Sequence, residues 1–223
     1  MRIPIQTGEY YHVYNRGTDK RDIFLSSEDL ERFKESIKEF NTTRPIGSIY
    51  QNNFRKKNNL SAPSTNYEPI VEIITYSLLP NHYHLTLRQI ADEGISKFIQ
   101  KLGSGYTRFF NEKYERNGVL FQGKYKIKHI ETNEYLLTIS AYHNLNGDIH
   151  GLSTPSTNTE LYQSSFVEYM GTVPEKERIC KTGVILLQFK SIQAYREYCK
   201  KTVEYIIKKR QKNEDPDNPF LDT

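Results

Sequence analysis

The feature that most limits the fold is a pair of β-forming runs separated by only two residues. Val71 to Leu79 is rich in β-branched and aromatic residues, Pro80-Asn81 turns the chain, and His82 to Gln89 returns. Runs joined by so short a turn form a hairpin, which commits the chain to an antiparallel sheet. Strand side chains alternate between faces, so His82 and His84 point one way and Tyr83 the other. Two imidazoles side by side on one sheet face can hold a divalent metal. Short His-x-His strings also arise as structural histidines, so the spacing leaves both readings open.

The flanking segments extend this sheet. Tyr10 to Asn15 reads as a first strand, followed by the basic loop Arg16 to Arg21. Ser26 or Ser27 can cap a helix with Glu28 and Asp29 in its first turn, and Leu30, Phe33, Ile37 and Phe40 recur at helical spacing to an end near Asn41. Gly94 to Tyr114 carries the apolar stripe of a second helix. Gly123 to Ile130 alternates charged and apolar residues as a half-buried strand does, with Lys124, Lys126 and Lys128 on one face. Thr132 or Asn133 caps a third helix that runs to about Asn146, where Gly147 ends it. The order β-α-β-β-α-β-α predicts an α+β, ferredoxin-like (split βαβ) antiparallel sheet with helices on one face. Residues 51–69 read as a long polar loop, and Ser153 to Thr159 as a Ser/Thr/Pro-rich linker. Ser191 to Lys212 reads as a long helix with a basic end, and the residues from Glu214 onward as frayed. We therefore expect a domain over 1–151, and a linker with a C-terminal helical extension over 152–223.

Charge distribution says more than the net charge of +4. Lys97, Lys101, Arg108, Lys113, Arg116, Lys124, Lys126 and Lys128 are opposed in that region only by Glu112 and Glu115. Such a run suits a phosphate backbone, or is a solvated face. The chain has 17 tyrosines and no tryptophan; tyrosine serves ordinary cores and also surfaces on which bases stack. Two cysteines give neither a metal-site spacing nor a disulfide framework. No apolar run is long enough to span a membrane and the N-terminus lacks a signal-peptide apolar region, so the expected location is the cytoplasm.

Several segments, in order, resemble the HUH single-tyrosine transposases, in their REP-associated branch. Tyr11-His12-Val13-Tyr14-Asn15-Arg16-Gly17 is similar to that family's opening strand, and Ile23-Phe24-Leu25 through Phe33 to the start of its first helix. Leu79 to Leu85 resembles its metal-site strand, and Gly118 to Lys126 the segment before its fourth strand. Glu134-Tyr135-Leu136-Leu137 through Tyr142 and Asn146 is similar to its nucleophile helix, and Ser164 to Gly171 to a motif beyond it. The chain departs from the pattern in the length of 51–69, in Gly147 where the family often has proline, and in the linker after Gly151.

The resemblance implies that His82 and His84 bind a divalent metal (Mg²⁺ or Mn²⁺), that Asn146 completes the site, and that Tyr142 is the nucleophile. It implies a single-stranded DNA endonuclease and strand transferase on hairpin-flanked DNA, leaving a 5′-phosphotyrosine and a free 3′-hydroxyl. Tyr142 and Asn146 stand four apart, which on one continuous helix would aim both at one point. Arg16, Lys20, Arg21, Lys101, Arg108, Lys124, Lys126 and Lys128 are the expected DNA contacts. Single-stranded or hairpin DNA is the expected partner, no membrane is, and a homodimer stays open beside a monomer. Other readings also stay open. Tyr135 is a rival nucleophile. His12 and His129 are outer partners of the metal ligands or sheet-edge histidines. His143 packs or contacts DNA. The basic end of the last helix is a solvated face or a DNA clamp. The other functional classes are an idle nucleic-acid-binding module on the same fold and a domesticated nuclease.

Overall fold

β1 (Tyr10–Arg16) and β3 (His82–Gln89) form the centre of a five-stranded antiparallel sheet. In the computed structural model the described residues are 4–43, 49, 57–58, 68–152 and 161–211. The polar segment 51–69 lies outside them except for residues 57–58 and 68–69, as do the 153–159 linker and the residues beyond 211. With β2 (Val71–Leu79), β4 (Lys126–Ile130) and β5 (Gln163–Ser164), the strand order is β4-β1-β3-β2-β5. The first four strands thus take the split βαβ order, and β5 adds an edge beside β2.

Register sorts the side chains onto two faces. Tyr14 lies opposite His84 and Arg16 opposite His82, while Ser77 flanks His84 from the other side and Lys126 flanks Tyr14. One face therefore presents His12, Tyr14, Arg16, His82, His84, Thr86, Lys126 and Lys128. Tyr11, Val13, Tyr83, Leu85 and Leu87 line the other face and are buried.

α1 (Ser27–Glu39) and α2 (Gly94–Lys113) cover this apolar face, with Phe33 against Tyr83 and Tyr106 at 5.1 and 4.9 Å between ring centroids. Ser26 and Asp29 form the capping box at the start of α1. Lys113 of α2 pairs with Asp29 at 2.8 Å, tying the two helices together. A Cβ at Gly105 would lie 2.5 Å from the Phe40 ring, so α2 needs glycine there to approach the end of α1.

α3 (Asn133–Asn144) lies on the histidine face, and α4 (Ile192–Gln211) packs over α3 through Tyr195, whose hydroxyl accepts from Asn144 Nδ2 at 2.7 Å. The two helices of the split βαβ core share one face, as expected; the third covers the other. Two boundaries differ from the sequence reading. The fourth strand starts at Lys126 rather than Gly123, because Gly123 takes a positive φ of 65° and bends the chain. α3, capped by Thr132, stops at Asn144, and Leu145 (φ −117°, ψ 25°) separates it from a single turn over Asn146–Ile149.

Candidate active site

The turn before β3 sets His82. Gly17 donates its N–H to the Asn81 carbonyl at 2.8 Å, and Ile23 and Phe24 donate to the Pro80 carbonyl. A Cβ on Gly17 would sit 2.2 Å from the Arg21 carbonyl oxygen, so only glycine closes this loop. Asp19 and Lys20 hold positive φ angles of 57° and 60° without being glycine, a strained pair kept in place by these ties. Asn81 is fixed from both sides: its Nδ2 donates to the Lys20 carbonyl at 3.2 Å, and its Oδ1 accepts from His82 Nδ1. That places the His82 proton on Nδ1 and makes Nε2 the atom His82 would offer a metal.

Behind His82 lies a layer of three buried histidines, His12, His84 and His143, with a ligand atom of each within 4.8 Å of the others. His12 Nε2 and His84 Nδ1 are 2.9 Å apart and share one proton. His143 Nδ1 is held by the hydroxyls of Thr75 (2.8 Å) and Thr86 (3.1 Å). The His82 and His84 ring centroids are 5.0 Å apart. Two candidate donor sets share His84: the buried triad, and the pair His82 and His84 with the Asn146 that the family resemblance implies. Access separates them. His82 lines a cleft of about 220 Å³ with Arg16, Lys20 and Lys126; His84, Asn146, His12 and His143 do not line it, so only the second set has a member open to substrate. A catalytic metal needs coordination positions open to substrate.

The continuous helix expected through Tyr142 and Asn146 does not form, since Leu145 breaks it. The turn beyond the break instead brings the His150 ring to 5.9 Å from His82. The Asn146 side chain is wholly buried, and neither its Oδ1 nor its Nδ2 has a hydrogen-bond partner among the described residues. An orphaned buried amide costs about 1–3 kcal/mol unless something meets it, and a cation would meet its oxygen. The donor set therefore suits a divalent metal.

Tyr142 is wholly buried, with its ring edge-on to His84 at 5.8 Å. Arg210 of α4 donates to its hydroxyl at 3.4 Å. Tyr135, the rival, sits half-buried under the Lys128 ammonium. Burial, with a smaller contribution from Tyr14, pushes its phenol up to about 12.

The expected DNA contacts scatter. Arg16, Lys20 and Lys126 gather at the cleft, and Lys128 shares their sheet face. Arg21 pairs with Asp19 at 3.3 Å. Lys124 does not share the face of Lys126 and Lys128; with Arg108 and Tyr83 it lines a groove on the opposite side of the sheet. Lys101 donates to the Thr42 carbonyl, and burial lowers its ammonium pKa. His129 bonds Glu9 at 3.0 Å and packs at a tilt against Tyr11, away from the site. Sequence reasoning passed over Asn81 and Arg210, and left His143 between packing and DNA contact, where the structure packs it against Thr75, Thr86 and His84. The histidine spacing in β3 could have directed attention to its neighbour Asn81; no local signal marks Arg210. Among the described residues, no helix is long and apolar enough to cross a membrane.

Comparison with known proteins accords with this geometry. Residues 48–144 match the family model described as "Transposase IS200 like". The fold is similar to a solved structure of a REP-associated tyrosine transposase bound to a REP hairpin. That match has a TM-score of 0.52 and 15% identity, covering 78% of this chain and 87% of that one. A sequence search of curated proteins finds no match. The segment 48–144, which carries His82, His84 and Tyr142, is thus similar to the IS200-like transposases, in a chain with the fold of a REP-associated tyrosine transposase.

Proposed function

We propose that Tyr142 carries the nicking and strand-transfer chemistry of this transposase on single-stranded, hairpin-flanked DNA, and that His82, His84 and Asn146 hold its divalent metal. The observation that carries the reading is the orphaned, wholly buried Asn146 amide in the turn beside His82 and a cationic cleft. When bound, the metal acts as a Lewis acid on the scissile phosphate. The Tyr142 oxygen bonds to phosphorus as the bond to the 3′ oxygen breaks. The tyrosine gives up its proton, the 3′ oxygen leaves as a hydroxyl, and a 5′-phosphotyrosine remains. Arg210 stabilises the charge that develops on the phenol oxygen, and its donor already points there. His12 Nε2 accepts the hydrogen bond of His84 Nδ1–H and thereby fixes that ring for ligation through Nε2.

In this reading the nucleophile serves its own chain's site, which the edge-on approach of Tyr142 to His84 at 5.8 Å supports. Residues 1–151 form the catalytic domain in this reading, and the extension supplies Arg210. Mn²⁺ is the preferred ion over Mg²⁺, because imidazole donors favour it.

Calorimetric Mn²⁺ titration tests the metal set. A His82→Ala, His84→Ala double variant and an Asn146→Ala variant should lose Mn²⁺ binding together with cleavage of a hairpin carrying single-stranded flanks. His143→Ala should retain both if it stays folded. Wild-type Mn²⁺ affinity in the double variant would place the metal elsewhere.

A further inference from the structure

We propose that the cleft beside His82 is a binding subsite for one unpaired nucleotide of the DNA strand. Its base stacks on Tyr14 and meets the Gln122 amide, and its phosphate lies against Arg16, Lys20 and Lys126. The proposal rests on the reading above only for its place next to the scissile phosphate; base recognition uses residues outside that chemistry.

Size comes first. At about 220 Å³ the cleft is smaller than the roughly 300–1,000 Å³ of sites for drug-sized ligands and is of the scale of a single base. Tyr14 supplies a plane. Its ring stacks on His12 at 4.9 Å and 26° and lies nearly parallel to His84 at 5.6 Å and 24°, so the histidine layer sets its orientation. The Lys126 ammonium lies over the same ring, 5.6 Å from its centroid, and swings from that face to the phosphate when a base stacks there. A half-exposed aromatic held rigid in this way is a stacking platform, and stacking tolerates any base.

Gln122 supplies a donor and an acceptor. Its backbone N–H donates to the Arg16 carbonyl at 2.7 Å, and Thr18 donates to the Leu120 carbonyl at 2.9 Å, so the segment that bears it is pinned to β1 and its loop. The side-chain amide itself has no hydrogen-bond partner among the described residues, and it can match the donor–acceptor edge of a base. The neighbouring Asn15 cannot do this, because its amide already serves Gly123 and the Arg16 backbone.

Charge supplies the third element. No carboxylate lines the cleft, and the side chains of Arg16 and Lys20 make no hydrogen bond or ion pair among the described residues. Three cations around one small cleft without a counter-charge call for an anion. An aromatic plane, a donor–acceptor pair and an anion site together match the base, the base edge and the phosphate of one nucleotide.

The test is fluorescence-anisotropy binding of the full chain, in EDTA and at fixed salt. It compares a labelled oligothymidylate decamer with a decamer of abasic deoxyribose phosphates. Wild type should prefer the base-bearing strand by about tenfold. Tyr14→Ala should erase that preference, Tyr14→Phe should restore it, and Gln122→Ala should lower it. Arg16→Ala should weaken both strands alike. Equal wild-type affinity for the two strands, or a preference that survives Tyr14→Ala, overturns the proposal. Should Tyr14→Ala fail to fold, wild-type protein can be photocrosslinked to a strand containing 5-iododeoxyuridine. A crosslink on the Tyr14 peptide supports the subsite, and crosslinks only elsewhere overturn it. The ratio is read without metal or cleavage, so its failure leaves the Tyr142 reading standing, and failure of that reading leaves the subsite standing.

Discussion

His84 receives more from its surroundings than any other residue of the site. Its Nδ1 faces His12 at 2.9 Å, its ring meets Tyr142 edge-on, and His143 lies behind it. Removing an outer partner of a ligating histidine commonly costs 10–100-fold in metal affinity, so His12→Ala should weaken Mn²⁺ by about that factor without removing a ligand. His143→Ala should act differently. It leaves the Thr75 and Thr86 hydroxyls facing a cavity, so it should lower unfolding free energy by about 1–3 kcal/mol in a urea melt while Mn²⁺ affinity holds. Arg210→Ala should slow covalent adduct formation by roughly ten- to a hundredfold, with Arg210→Lys recovering part of the rate. The two strand histidines were legible from their period of two. Arg210 was not, because it reaches Tyr142 from 68 residues away through packing that no local pattern encodes.

At the scale of elements, the sequence reading did best where periodicity and punctuation agree. The bounds of β2 and β3 follow from the Pro80–Asn81 turn, and α2 begins at Gly94 as expected. It did worst where a helix breaks without proline or glycine. Nothing in Leu145 forecasts the break after Asn144, which arises where Asn144 is drawn into bonds with Tyr195 and Ser165. The clamp between α1 and α2 carries a pH signature. Burial raises the Asp29 carboxyl, but bonds from Lys113, Tyr114 and the Leu25 N–H outweigh it, so the net shift is downward. A carboxyl lowered on folding contributes stability above its unfolded value, near 4, and that stability disappears as pH falls through the folded value. Melting temperature should therefore drop more steeply below about pH 4 in wild type than in Asp29→Asn, which should be less stable at pH 7. Parallel acid slopes for the two proteins would show that Asp29 is not the titrating group.

For the whole molecule, the histidine face is where chemistry and charge coincide. Composition alone could not say so, because the central basic run divides between two sides of the sheet. Removing one cation that touches a phosphate should reduce the salt slope of log K by about 0.7 on single strands. Lys126→Ala should produce that change, and Lys101→Ala should not, since its ammonium is bound to the Thr42 carbonyl. A hairpin with single-stranded flanks should outcompete the matching duplex, because the cleft is of the scale of one unstacked base. The central claim is that Tyr142 is the nucleophile at a metal site built on β3, and one measurement reaches it directly. The full chain is incubated with a hairpin bearing single-stranded flanks and Mn²⁺, and any protein–DNA adduct is digested and mapped by mass spectrometry. The account predicts a phosphodeoxynucleotide on Tyr142, absent in Tyr142→Phe and in EDTA. An adduct on Tyr135, or on Tyr142 at an undiminished rate in EDTA, would contradict it.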